Sequence, residues 1–578
     1  VAWALGAALA VVGWLIAPPD WEAGPGRVAV EYRNELVVDA PVELGDEEAA
    51  SVAGERGDLR VGVDFTTGIP VEGPVRALVT VDEAGTRLRP ALQDVEMRLV
   101  LEDGRRELVP TVEWDEEAGA LVASRRPTRG APIVAALLAF VVVIWVSEAL
   151  PLFVTSLAIP VVLVVAGLAG AADATAPFFN PIIVLFFAGF LMAEAMHRSG
   201  LDHYVSVQVT ARAGRSAVAL FATMLGLAAF LSMWMSNTAA TAVLVPIAMA
   251  ISEPLRHAGF RRALVLGIAY AATIGGVGSA IGTPANQLAI EFLGTFGGRS
   301  IAFAEWFAFG VPMVVLFLPI MGFYLWWRSG VTLDPTQLGE ARRVAVAEQA
   351  RLGRPTRDQI TVLAVFGLVM LAWLTETFHG VHAGIVALGG AVALFVLRRL
   401  RAEDLGRISW ASLLTFGGGL TLGLYLVDTG TSDYVATRLA NLASLPGIVA
   451  VGAVALIGLL LTTVASNTAS AAILIPLAIP LAAVLGLEPT MLVVVVAIAT
   501  SVDFALVIGT PPTMIAYSTG LYTAGRVFRL GAVLDLVGVA LLVLVVSRLW
   551  EVFGLTWAGS GRGDLGSRRL PRVVPLHP

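Results

Sequence analysis

The tripeptide Ser-Asn-Thr sits in the middle of two long apolar stretches, at Ser236-Asn237-Thr238 in MWMSNTAATAVLVPIAMAI and at Ser466-Asn467-Thr468 in TVASNTASAAILIPLAIPL. The constraint is severe, because polar groups inside an apolar run are tolerated only where they are buried in protein or line a cavity. The same spacing aligns Pro246 with Pro476, Gly189 with Gly419, Gly200 with Gly430, and Tyr204-Val205 with Tyr434-Val435. Farther along, ATIGGVGSAIGTP at 272–284 faces ATSVDFALVIGTP at 499–511 without a gap. The chain therefore reads as two related halves, each interrupted twice by polar or glycine-rich sequence, which is the pattern of a secondary transporter.

Hydrophobic residues make up 57% and charged residues 14% of the 578, a balance that points to a polytopic membrane protein and away from a soluble domain. Cysteine is absent, which excludes disulfides and thiolate metal sites. Lysine is absent as well, so arginine alone carries the fixed positive charge.

The opening VAWALGAALAVVGWLIA lacks a basic flank and a clear cleavage site, so residues 1–17 read as a first transmembrane helix, not a removed signal peptide. Residues 18–130 differ sharply in character. They hold about half of the acidic residues and alternate in stretches such as LRVGVDF and VRALVTV, with turns at Asp103-Gly104 and Ala118-Gly119. Such alternation predicts antiparallel strands in a β-rich domain outside the membrane.

Membrane repeat 1 is expected over 131–327, a cytoplasmic linker over 328–358, membrane repeat 2 over 359–550, and an extracytoplasmic tail over 551–578. The fold class is a polytopic α-helical membrane protein of about 11 transmembrane helices, in two inverted-topology repeats, each with a re-entrant hairpin and a broken helix. Arginine placement orients it. The connections near 198–215, 254–262, 328–358, 398–407 and 522–530 are rich in arginine, whereas the short opposite loops hold little beyond Arg299 and Arg438. The excess puts the first group in the cytoplasm and the β-rich domain outside, although Arg125, Arg126 and Arg129 run against the rule.

At a hairpin tip one helix ends and another begins, so carbonyl oxygens and amide N–H groups meet there. Carbonyls with Ser, Asn and Thr oxygens suit a hard cation, and the N–H groups at the positive dipole end suit an anion. Gly275, Gly276, Gly278 and Gly282 each cost about 1 kcal/mol relative to alanine inside a helix and so mark an unwound stretch. Pro284 suits the first turn of the helix that resumes, and Gly509 with Pro511-Pro512 repeats the arrangement.

These residues resemble those of the divalent anion/sodium symporter family over roughly 131–550. The motifs are WVSEALPLFVTSLAIP (145–160), NPIIVLFFAGFLMAEAM (180–196), LSMWMSNTAATAVLVPIA (231–248), IGGVGSAIGTPAN (274–286), ISWASLLTFGGGLTLG (408–423), ASNTASAAILIP (465–476) and IGTPPT (508–513). The resemblance implies a sodium site of Ser232, Ser236, Asn237 and the Gly282 backbone, and a second of Thr462, Ala465, Asn467 and the Gly509 backbone. It implies that substrate carboxylates meet Asn237, Thr238, Thr283, Asn467, Thr468, Thr510 and Pro511. It also implies a homodimer in the inner cell membrane that works as an elevator. The expected partners are a small dianion, sodium as coupling ion, the bilayer and a second copy, with no enzymatic cofactor and no nucleic acid.

The chain departs from the family at Thr513, where asparagine is usual, in its β-rich domain, and at Asp503, whose repeat partner is Gly276. A carboxylate at that depth is costly unless paired. Asp503 could ligate a cation, carry a coupling proton or sit in a structural hydrogen bond. Glu194 is expected to face protein or pair with Arg198, Glu148 and Glu376 to be structural acids near helix ends, and the histidines to form no metal cluster. The functional expectation is sodium-coupled symport of C4-dicarboxylates such as succinate, malate and fumarate. The alternatives are proton-coupled or exchange transport of citrate, sulfate or another oxyanion, and a transporter-derived sensor using the β-rich domain.

Overall fold

The computed structural model describes residues 24–550, apart from the strand connections up to residue 129 and the stretches 148, 214–215, 297–298, 332–334 and 440–444. The expected first span at 1–17 and the tail at 551–578 lie outside the described residues. Strands occupy the region before Ser124, in two antiparallel sheets. One runs β2 (Glu35–Leu44), β1 (Gly24–Tyr32), β7 (Val95–Leu101), β8 (Arg106–Leu108). The other runs β3 (Ala50–Arg56), β4 (Leu59–Phe65), β5 (Arg76–Glu83), β10 (Ala120–Ser124), β9 (Thr111–Asp115), with β6 (Thr86–Leu88) also on β5. Val61 faces Val81 and Val63 faces Val79 across β4 and β5, and all four are buried, as alternation of one apolar face requires.

From Ala131 onward the chain is helical, and eight helical stretches are long and apolar enough to cross a membrane. Two more helices lie where the sequence predicts connections: Leu201–Ala213 and Pro335–Leu352. They pack on each other and on Asn237–Ser252, with Gln349 Nε2 donating to Gln208 Oε1 at 2.7 Å. Polar composition hides such helices, whose support is tertiary packing and not an apolar run.

Helices Ala217–Ser232 and Asn237–Ser252 form the first hairpin and pack on Ala258–Gly275. Helices Gly447–Val464 and Asn467–Val484 form the second and pack on Pro489–Ala499. Ala258–Gly275 runs into a 3₁₀ turn at Gly276–Gly278 and resumes only at Pro284–Thr295. Pro489–Ala499 stops likewise and resumes at Pro511–Ser518. The resumed helices are exchanged. Pro284–Thr295 packs on Asn467–Val484 and Pro489–Ala499, while Pro511–Ser518 packs on Asn237–Ser252 and Ala258–Gly275.

Each break also leans on a glycine of the span that follows it. A Cβ at Gly310 would run into the Val277 carbonyl, and one at Gly531 into the Phe504 carbonyl. Gly310→Ala and Gly531→Ala should therefore each destabilise by about 1–3 kcal/mol through overpacking. Gly226→Ala, in a helix with open space at that position, should instead leave the melting temperature in detergent unchanged or raised.

Candidate functional site

Ser236 and Ser466 are the N-caps of the second hairpin arms, with extended backbone (ψ 144° and 151°) and side chains accepting from Ala239 N and Ala469 N, each at 3.2 Å. Serine is placed there because its oxygen satisfies an amide that the helix cannot. Asn237 and Asn467 follow as the first helical residues. Their side-chain oxygens turn back onto a hydroxyl at the end of the first arm: Ser232 Oγ lies 2.5 Å from Asn237 Oδ1, and Thr462 Oγ1 lies 2.8 Å from Asn467 Oδ1. Ser232 and Thr462 are fully buried. The same hydroxyl–amide pair thus stands at both tips.

The breaks lie directly beside these tips. Ser279 Oγ donates to the Met233 carbonyl at 2.5 Å, tying the first tip to its break. A Cβ on Gly276 would meet Asn237 Oδ1 and the Gly282 carbonyl, so Ser232, Asn237, Gly276 and Gly282 form one cluster. Three of the four groups expected in the first sodium site are therefore adjacent. The fourth, Ser236, is exposed, and its hydroxyl oxygen is engaged as the cap.

At the second break, Thr462 Oγ1 also lies 2.7 Å from the Thr500 carbonyl, and its single proton can satisfy only one of its two acceptors. Gly509 lies against the carboxylate of Asp503, which is 1% exposed. Thr510 caps the resumed helix, its hydroxyl 2.9 Å from that of Thr513. Thr283 has no capping bond and instead approaches Ser501 Oγ of the other half at 3.4 Å. Thr238 and Pro511 are exposed, and Thr468 and Ala465 stay beside the second cap.

The carbonyls freed at the breaks are held by side chains. Asn286 Nδ2 is within hydrogen-bond distance of Gly276 O (3.1 Å), Val277 O (3.3 Å) and Ser279 O (2.7 Å), and Trp306 Nε1 donates to Val277 O at 3.0 Å. At the second break Tyr270 donates to Phe504 O, and Asp535 Oδ1 accepts from Phe504 N, both at 2.8 Å. Asp535, Tyr270 and Ser501 escape the sequence reading. Asp535 leaves a signal, a lone acid in RLGAVLDLVGVALLV. Tyr270 and Ser501 leave none.

Glu194 pairs with Arg407 at 3.3 Å and not with Arg198. Arg198 is drawn instead to Asp404, whose buried carboxylate needs a cation more than a partly exposed one does. Glu376 accepts from Phe303 N (3.1 Å) and Ala383 N (3.3 Å), and Glu148 lies outside the described residues.

The citrate transporter family model matches residues 142–471 and 370–558. A Haemophilus influenzae protein described as an uncharacterized transporter is 32% identical over 437 residues, covering 72% of this chain and 91% of its own length. The sodium-dependent dicarboxylate transporter SdcS of Staphylococcus saprophyticus is 30% identical over 430 residues, covering 70% of this chain and 83% of itself. SdcS of Staphylococcus aureus is 30% identical over 432 residues, with 70% and 82% covered.

Asn286→Ala removes the one amide that holds three carbonyls, and should cost about 1–3 kcal/mol, seen as a lower melting temperature in detergent. Thr513→Ala, which loses a hydroxyl bonded only locally, should cost about 1 kcal/mol or less. Equal losses would contradict this division of roles.

Proposed function

The chain belongs to the divalent anion/sodium symporter family and is a multi-pass membrane transporter, not an enzyme; on that premise we propose that it carries C4-dicarboxylates in symport with sodium. The observation that carries this reading is the pair of a buried hydroxyl and a half-buried asparagine repeated at both hairpin tips, each beside a helix break. In each half, hydroxyl, amide and backbone carbonyl oxygens supply a cage for a hard monovalent cation. Helix N-termini at Asn237, Pro284 and Asn467 supply N–H groups and the positive dipole end to the carboxylates of the substrate, and the one at Pro511, with proline again at 512, supplies its dipole end alone.

A dianion cannot rest at the bilayer centre uncompensated. Bound sodium offsets its charge and orders the tips, so each ligand raises the affinity for the other. Two relatives named sodium-dependent dicarboxylate transporters support both the ion and the substrate class. The protein acts as a homodimer in the inner membrane, its hairpins and broken helices moving as an elevator against the remaining spans. The strands between Gly24 and Ser124 lie on the extracytoplasmic side, opposite the arginine-rich connections.

Uptake of labelled succinate into proteoliposomes should require an inward sodium gradient. Asn237→Ala and Asn467→Ala should each slow it by at least about tenfold at low substrate, the factor that ~1.4 kcal/mol of lost binding gives. Uptake driven equally well by a proton gradient alone would overturn sodium as the coupling ion, and preference for citrate or sulfate would overturn the substrate class.

A further inference from the structure

Among the differences between the two breaks, one places a charge. Gly276 of the first break is replaced by Asp503 in the second. The Asp503 carboxylate is 1% exposed, and neither oxygen has a hydrogen-bond partner among the described residues. None of the ion pairs among the described residues includes it. Its ionisable surroundings add no positive charge. Asp535, also buried, spends an oxygen on the Phe504 amide, and the hydroxyl of Tyr270 is donated to the Phe504 carbonyl. A bare carboxylate in such a place is strongly unfavourable unless something positive joins it.

The carboxylate lies beside Gly509, whose backbone is expected in the second cation site. The carboxylate fills the space that a side chain at Gly509 would occupy, so glycine is what admits it. The Thr500 carbonyl, three residues earlier, already lies 2.7 Å from Thr462 Oγ1, which reaches Asn467 Oδ1 in turn. In the first half the carbonyls of the break are held by the Asn286 amide, whereas the corresponding Thr513 hydroxyl is turned to Thr510. The second break therefore lacks the amide donor that neutralises the first. A proton would serve one of its two oxygens and leave the other without a partner, while a cation would satisfy both together.

We propose that Asp503 is a direct ligand of the second cation site, which thereby carries its own negative charge and takes a monovalent alkali cation before substrate arrives. The first site, with Gly276 in that place, relies on neutral oxygens and fills fully only with the dianion. This deepens the symporter reading and rests on it. It gives the empty carrier one resident cation and makes the two halves unequal in the order of binding.

The test is equilibrium binding of labelled sodium to the purified full chain in detergent at pH 8, with and without succinate, in wild type, Asp503→Asn, Asp503→Gly and, as a control outside both sites, Gly226→Ala. Without succinate, both Asp503 variants should need at least about tenfold more sodium for half-saturation, and Gly226→Ala should bind as wild type. In sodium-free choline buffer the Asp503 variants should melt at or above the wild-type temperature, because an uncompensated carboxylate has been removed. Unchanged sodium binding in both variants would overturn the inference and leave the symporter reading intact. So would loss of binding accompanied by a fall in sodium-free melting temperature in both variants, which makes Asp503 structural. Wild-type protein that binds no sodium in any condition would sink the symporter reading, and the inference with it.

Discussion

A peptide group left unpaired inside a bilayer costs several kcal/mol, and both helix breaks persist only because side chains from other elements meet that cost. Asn286 and Trp306 hold the carbonyls at the first break, and Tyr270 and Asp535 hold both backbone groups of Phe504 at the second. The tie to Tyr270 crosses from one half to the other. The unwound backbone, which on the proposed mechanism offers oxygens to a cation, is thus held in place by packing, and glycine at 310 and 531 lets the neighbouring spans come close enough to hold it.

The exchanged resumed helices give this packing a functional consequence. Pro284–Thr295 leaves the first break to pack on the second hairpin, and Pro511–Ser518 makes the return journey. Thr283 and Ser501 meet where the two breaks face each other. On the proposed mechanism a ligand that orders one tip biases the other, the two-site coupling that symport requires. The Ser232–Asn237 and Thr462–Asn467 pairs would be its levers, since a cation drawn to the same oxygens competes with those bonds directly beside the cap of each second arm.

Much of this was legible in the sequence because polar residues in apolar runs are conspicuous. The Ser-Asn-Thr repeats marked the tips, and the glycines from 275 to 282 with Pro284 marked the first break. What escaped did so for physical reasons. Leu201–Ala213 and Pro335–Leu352 are polar helices supported by tertiary contacts, so no apolar period announced them. Tyr270 is one aromatic residue in a buried apolar helix until the fold brings its hydroxyl to Phe504. The pairing of Arg198 with Asp404 over Glu194 depends on which carboxylate is buried, a property of the fold alone.

On the proposed mechanism cation and dianion bind one coupled site. The most direct measurement is calorimetric titration of succinate at low and saturating sodium, matched with titration of sodium at zero and saturating succinate. Coupling through the tips predicts that sodium strengthens succinate binding and that succinate strengthens sodium binding by the same factor. Succinate affinity that does not change with sodium would contradict that coupling.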